Sequence, residues 1–176
     1  MRMSGKNALA PRIGVLGAVA VLFTGAVVLV PVWVVFIAWA SFFILGGGMN
    51  GLVRSVVSNL TGLVIATVTL MVSQGLGMGL VLTAVAVGAG SAAMVLVSRA
   101  SLLGTIPAIV WGFASTVGTV AVTGRGVLTA SIGNPAVMAA VALVLGGLFG
   151  IVSERVAQVL SAEPANRAEP SPEISG

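Results

Sequence analysis

From Ile13 to Val152 this chain has no Asp, Glu, His or Lys, and only Arg54, Arg99 and Arg125 carry charge. The interval covers about 140 of the 176 residues. A water-soluble core has no use for so long an apolar run, so the surrounding solvent is read as lipid. Charged residues are 7% of the chain, against about 25% in ordinary soluble domains.

The same scarcity removes most chemistry. Cys, His, Tyr and Asp are absent, which excludes disulfides, thiolate metal sites and thiol redox chemistry. Zinc ligands are missing from the apolar interval. General acid–base or nucleophilic catalysis would have only Ser, Thr, Asn and three Arg to draw on. Gly46-x-Gly48 lacks the strand and acidic partner that give a dinucleotide fingerprint its meaning. The expectation is a protein that is not an enzyme and needs no cofactor and no metal. The net charge of +4 does not point to nucleic acid, because the basic residues form no patch or run.

A bilayer core about 30 Å thick takes roughly 20 apolar helical residues. Six segments are read on that scale, making an all-α integral membrane protein with its transmembrane domain at 13–160. They are Ile13 to Val30, Val32 to Leu45, Leu52 to Ser73, Gly77 to Ser98, Leu102 to Val122 and Ala136 to Leu160. Pro31, Gly46-Gly47-Gly48, Gln74-Gly75, Arg99, Gly124-Arg125-Gly126 and Asn134-Pro135 punctuate them. With the N-terminus in the cytoplasm, Arg2, Lys6, Arg12, Arg54, Arg99, Arg155 and Arg167 fall inside and only Arg125 outside. That asymmetry favours six spans with both termini cytoplasmic. Arg2 and Lys6 before an apolar run, with Ala38-Trp39-Ala40 beyond, also have the form of a signal peptide; the run exceeds the usual 7–15 residues of such a segment, so it is read as a span. Residues 1–12 are expected to be a cytoplasmic segment. From Ser161 to Gly176 the chain holds three of its four acids and three Pro, which reads as a disordered cytoplasmic tail.

The segments divide into two groups of three. The second is short, about 21 Å at 1.5 Å per residue, and ends in a glycine run. The fifth carries Pro107 in its first turns, and each has a Trp in mid-segment, Trp39 and Trp111. Three spans per group would make a repeat inverted, so the pattern reads as a 3+3 inverted repeat with a short or broken second and fifth helix.

Small and polar residues form stripes at helical spacing. Ser55, Asn59, Gly62, Ala66, Thr69 and Ser73 share one face of the third segment. Comparable rows run through Gly79, Thr83, Ala86, Gly90 and Ala93, through Gly104, Ala108, Gly112, Ser115 and Thr119, and through Ala139, Ala142, Gly146, Gly150 and Ser153. Such rows serve close helix packing in lipid. Asn59 is the one amide inside a span, and an amide there must bond across helices or face a polar cavity. The glycine run cannot continue a helix, and irregular backbone at membrane depth is tolerated where it lines a cavity or is buried in protein.

At ASFFILGGGMNGLVRSVVSNLTGLV the chain resembles a family of bacterial inner-membrane proteins catalogued as domain of unknown function 1097. Phe42-Phe43 before the glycine run, Ser58-Asn59-Leu60 with Gly62, and Thr105-Ile106-Pro107-Ala108 carry the resemblance. It implies a multi-span inner-membrane protein and supplies no activity and no residue roles.

The leading functional expectation is a channel or facilitator for a small uncharged polar solute of the urea, short-amide, glycerol or water class. Its path is placed at Phe42, Phe43, Gly46, Gly47, Gly48, Asn50, Asn59, Trp111 and Ser115. Proton relays use intramembrane carboxylates or His, which the spans lack. Two alternatives stand beside it: a sodium-coupled small-solute transporter built on carbonyl and hydroxyl oxygens, and a structural or accessory membrane subunit that transports nothing. The expected partners are the lipid bilayer, the solute and further copies of the same chain.

Overall fold

The computed structural model describes residues 5–161, with side chains placed from 14 to 159. Residues 1–4 and all of the expected tail beyond Ser161 lie outside the described residues. Among the described residues there are six α-helices and no strand: α1 Gly5–Phe23, α2 Val32–Ile44, α3 Gly48–Gly75, α4 Leu80–Val97, α5 Ile106–Thr123 and α6 Pro135–Ser161. Four of them, α3, α4, α5 and α6, are long and apolar enough to cross a membrane. The apolar stretches Gly14–Val28 and Val32–Ile44 are shorter.

Helix ends follow from local chemistry. α1 begins at Gly5, ahead of the expected Ile13, and passes into a widened π turn over Thr24–Val28. The Thr24 hydroxyl donates back to the Ala20 carbonyl at 2.7 Å. Leu29 then takes a left-handed conformation (φ 51°), and Pro31 opens α2. α2 ends where Gly46 and Gly47 adopt φ of 96° and 67°, values that side-chain-bearing residues rarely reach. α3 starts at Gly48, four residues before the expected Leu52, so Asn50 is helical and the irregular backbone runs from Leu45 to Gly48, whose φ is 62°. The reason lies on α6: the Glu154 carboxylate accepts the Gly48 N–H at 2.8 Å. An anion at a helix N-terminus satisfies a donor the helix itself cannot and meets the positive end of its dipole.

The fifth helix is neither short nor broken. Pro107 sits in the first turn of α5, where its missing N–H costs no helical hydrogen bond, and the helix runs 18 residues without interruption. The irregularity precedes it, as a 3₁₀ turn over Ser101–Leu103 followed by Gly104 and Thr105. α6 opens on Pro135, with Asn134 Oδ1 accepting the Ala136 N–H at 2.9 Å as a side-chain N-cap.

Packing centres on α3, which touches α2, α4, α5 and α6. The two most extensive pairings are α3 with α5 and α2 with α6. Glycine makes both possible: a methyl on Gly62 would strike the Ile109 carbonyl, one on Gly112 the Asn59 carbonyl, and one on Gly146 the Val35 carbonyl. The small-residue rows on α3 and α6 are buried throughout, and the row on α5 is buried from Ala108 to Thr119. On α4 only Gly90 and Met94 are buried. Most of that helix is open to the surroundings, including Leu80, Val81 and Val85.

Gly62→Leu and Gly112→Leu are therefore expected to destabilise the bundle by about 1–3 kcal/mol or more through overpacking. Gly88→Leu on α4, where an added Cβ meets nothing within 4 Å, should stay within about 0.5 kcal/mol of the parent. Equilibrium unfolding of the three variants in one detergent checks the contrast.

Candidate functional site

The most polar part of the interior lies where α2 meets α3. Ser41, Ser55, Ser58 and Asn59 are all fully buried. Ser41 comes from the last turn of α2; Ser55, Ser58 and Asn59 come from one side of α3, spaced three, one and four residues apart so that one face carries them. The Ser55 hydroxyl donates to Ser41 Oγ at 2.9 Å. Asn59 Nδ2 donates to Ser41 Oγ and to Ser55 Oγ, each at 3.2 Å.

Hydrogen-bond bookkeeping decides how the amide is oriented. Both Nδ2 protons and the Ser55 proton are used within the cluster, while Asn59 Oδ1 has no partner. Turning the amide over would strand both amide N–H donors, where the present orientation leaves the Asn59 carbonyl and the Ser41 hydroxyl proton unpaired, and a hydroxyl can rotate toward an acceptor while a fixed N–H cannot. The cluster thus presents a lone acceptor, with Ser58 Oγ likewise unpartnered. On α5, Ser115 is fully buried and its Oγ has no partner either. Its neighbours along the helix differ: Thr116 and Thr119 return their hydroxyls to the Gly112 and Ser115 carbonyls at 3.0 and 2.7 Å.

The other expected path residues scatter. Phe42 is fully buried, its ring filling the space beside Gly150 of α6. Phe43, edge-on to it at 5.2 Å between centroids, points outward and is half exposed. Gly46, Gly47 and Gly48 form the α2–α3 turn, and Asn50 is exposed on the first turn of α3. Trp111 is partly exposed, off the buried face of α5. Of the expected path residues, Asn59 and Ser115 combine full burial with an unpaired polar atom, as Ser58 outside that set also does. Ser41, Ser153 and Glu154 had no place among the expected path residues, although they anchor the interior. Ser153 Oγ accepts the Trp39 Nε1 proton at 2.9 Å, from a position 114 residues away. Ser41 was visible as the one hydroxyl in an otherwise apolar helix; the partners of Trp39 and Gly48 are too distant in sequence to be read from spacing.

Among the described residues no group of three or more His, Cys, Asp or Glu side chains forms a metal site. What the cluster can do is exchange hydrogen bonds: accept them at Asn59 Oδ1, and accept or donate them at Ser58 and Ser115.

Apolar helices of membrane-crossing length, gathered around a buried amide–hydroxyl layer, define a multi-pass α-helical membrane protein. The family model described as "Protein of unknown function (DUF1097)" matches residues 11–158, and the chain belongs to that family. No curated protein and no solved structure matches the chain.

A double-mutant cycle on Ser41→Ala and Asn59→Leu should give a coupling of about 0.6 kcal/mol, within the range up to about 1.7 measured for membrane interiors. Unfolding in detergent reads it. Additive effects would mean that the Ser41–Asn59 bond contributes nothing.

Proposed function

We propose that this protein is a facilitator for a small uncharged polar solute, passing by way of Asn59. The observation that carries the reading is a fully buried amide whose Oδ1 has no partner, deep inside a bundle of apolar helices. An unpaired acceptor there is expensive, and a passing hydrogen-bond donor would relieve it. Because the amide protons are committed to Ser41 and Ser55, the site favours solutes that donate: urea, short amides, glycerol or water.

The fold reading that goes with it is six spans in two inverted halves, α1–α3 and α4–α6, with both termini cytoplasmic in a bacterial inner membrane. Support comes from which residues are buried. Val34, Val35, Ala38, Trp39, Ser41 and Phe42 on α2 match Ala108, Ile109, Gly112, Phe113, Ser115 and Thr116 on α5 at one constant offset. Ser55, Ser58, Asn59, Gly62, Leu63, Ala66 and Thr69 on α3 match Ala139, Ala142, Leu143, Gly146, Gly147, Gly150 and Ser153 on α6 at another, all buried. The same exchange turns the α3–α5 pairing into the α6–α2 pairing, the two largest in the bundle. It carries the Gly62–Ile109 contact onto the Gly146–Val35 contact. In this register Trp39 pairs with Phe113, so the expected match of Trp39 with Trp111 is replaced. Inverted-repeat transporters bind their solutes near the midplane where the halves meet, and Asn59 lies near the middle of α3.

A second reading has one observation in its favour. The Gly62–Ile109 and Gly112–Asn59 contacts bring two backbones together directly beside the cluster, as in a layer whose work is helix association within a larger assembly.

Stopped-flow light scattering on proteoliposomes separates the two. Urea, formamide, glycerol or water should cross faster than in protein-free vesicles, and dimethyl sulfoxide, which accepts but cannot donate, should not. Asn59→Leu should abolish the excess while the variant still folds, losing no more stability than its Ser41 and Ser55 hydrogen bonds supply, and keeps its particle size. Permeabilities equal to empty vesicles throughout would favour the accessory reading, with sodium-driven uptake as the remaining transport assay. For topology, cysteines at Arg2 and Arg155 should be shielded from an impermeant reagent in intact cells, and one at Arg125 labelled; labelling of all three would contradict the six-span orientation.

A further inference from the structure

We infer that the cleft between α3 and α4 is a binding site for one anionic phospholipid, its phosphate held by Arg54 and Arg99 and one acyl chain laid in the groove. The groove has a volume of about 500 Å³ and is walled by Ile65, Val68 and Val72 of α3 and Ala86, Ala89 and Ala93 of α4. Small side chains on α4 leave the space, and Gly90 lets the two helices close behind it. Its lining is apolar apart from Thr69, whose hydroxyl is already donated to the Ile65 carbonyl at 2.8 Å.

Charge tells what covers it. Arg54, Thr61, Ile65, Val68 and Val72 are spaced seven, four, three and four apart, so one face of α3 carries the guanidinium and the groove wall together. Arg54 is partly buried and its Nε is shielded from solvent without a hydrogen-bond partner. A buried guanidinium N–H calls for an acceptor. α4 runs antiparallel to α3 across a short loop, so Arg99, just past its last turn, lies at the same end of the bundle and is exposed. The 3₁₀ turn over Ser101–Leu103 packs against α3. Along α4, Ala93 and Ala86 are about 9 and 20 Å from Arg99 at 1.5 Å per residue. One leaflet of hydrocarbon is about 15 Å deep, so a phosphate at the arginines places its chain in the groove. A zwitterionic lipid offers the same chains without net negative charge, and a second copy of this protein would have to bring its own anion to Arg54.

Native mass spectrometry of the delipidated full-length protein in detergent tests this, with phosphatidylglycerol and phosphatidylcholine of identical chains added in turn. Phosphatidylglycerol should be retained in preference, one per chain. Arg54→Gln and Arg99→Gln should each weaken its retention about fivefold, the effect of one basic residue at an anionic lipid surface. Ala89→Trp, which fills the groove with both arginines intact, should weaken it as well, and Arg125→Gln at the opposite end should not. Should Arg54→Gln fail to fold, Arg99→Gln and Ala89→Trp carry the test. Equal retention of the two lipids, or arginine variants that match Arg125→Gln, would overturn the inference. So would a dimer that excludes lipid and is dissociated by Ala89→Trp.

Discussion

Inside a hydrocarbon layer no water completes a hydrogen bond, so every polar group the chain carries there must find its partner within the protein. That requirement explains most of the polar geometry. Thr24, Thr61, Thr67, Thr69, Ser73, Thr116 and Thr119 return their hydroxyls to carbonyls one turn earlier on their own helices. Trp39 finds Ser153, and the first N–H of α3 finds Glu154. Gln74 Oε1 accepts the Val127 N–H at 3.1 Å, tying the α5–α6 connection to the end of α3. Against so thorough a satisfaction, Arg54 Nε, Ser58 Oγ, Asn59 Oδ1 and Ser115 Oγ stand out among the described residues as buried atoms without partners.

Close approach of backbones is the second consequence of a lipid solvent. Lipid tails are as apolar as leucine, so helices gain by contact area rather than by escape from water. Gly62, Gly112 and Gly146 supply that contact at the crossings that hold α3 to α5 and α2 to α6. α4 has no such crossing along most of its length and is left at the edge, its small residues forming a groove instead of a seam.

Much of this was legible in the sequence, and the failures have physical causes. Every residue of the stripe Ser55–Asn59–Gly62–Ala66–Thr69–Ser73 is buried, on a face of α3 that also takes in Gly51, Ser58 and Leu63, because in lipid small and polar residues mark the side that other helices can approach. The equivalent row on α4 reads the same and packs far less, since spacing reveals a face but not whether a neighbour exists to cover it. The glycine run was seen as a break, yet α3 resumes at Gly48 because a carboxylate 106 positions away accepts its N–H. That pairing, like Trp39 with Ser153, is created by tertiary structure and leaves no local signal. Phe42 and Phe43, adjacent in sequence, separate into a buried ring against Gly150 and an outward ring, since consecutive helical residues point about 100° apart.

If the two halves descend from one inverted unit, what they no longer share is informative. The packing positions agree: Gly62 with Gly146, Val35 with Ile109, Ala38 with Gly112. The hydroxyls Ser41 and Ser115 also agree, one in each half. The cluster on α3 does not, because Ser55, Ser58 and Asn59 correspond to Ala139, Ala142 and Leu143, all buried. A layer needed only to hold helices together would gain from being built twice, as the glycine crossings are. A polar layer present in one half and apolar in the other is what the proposed function would ask of a site. It leaves Ser115 facing a half that offers it no partner, with its oxygen unpaired. In the proposed function Asn59 and Ser115 would be successive stations for a hydrogen-bonding solute, with Asn59, whose acceptor is held in place by Ser41 and Ser55, as the selective one.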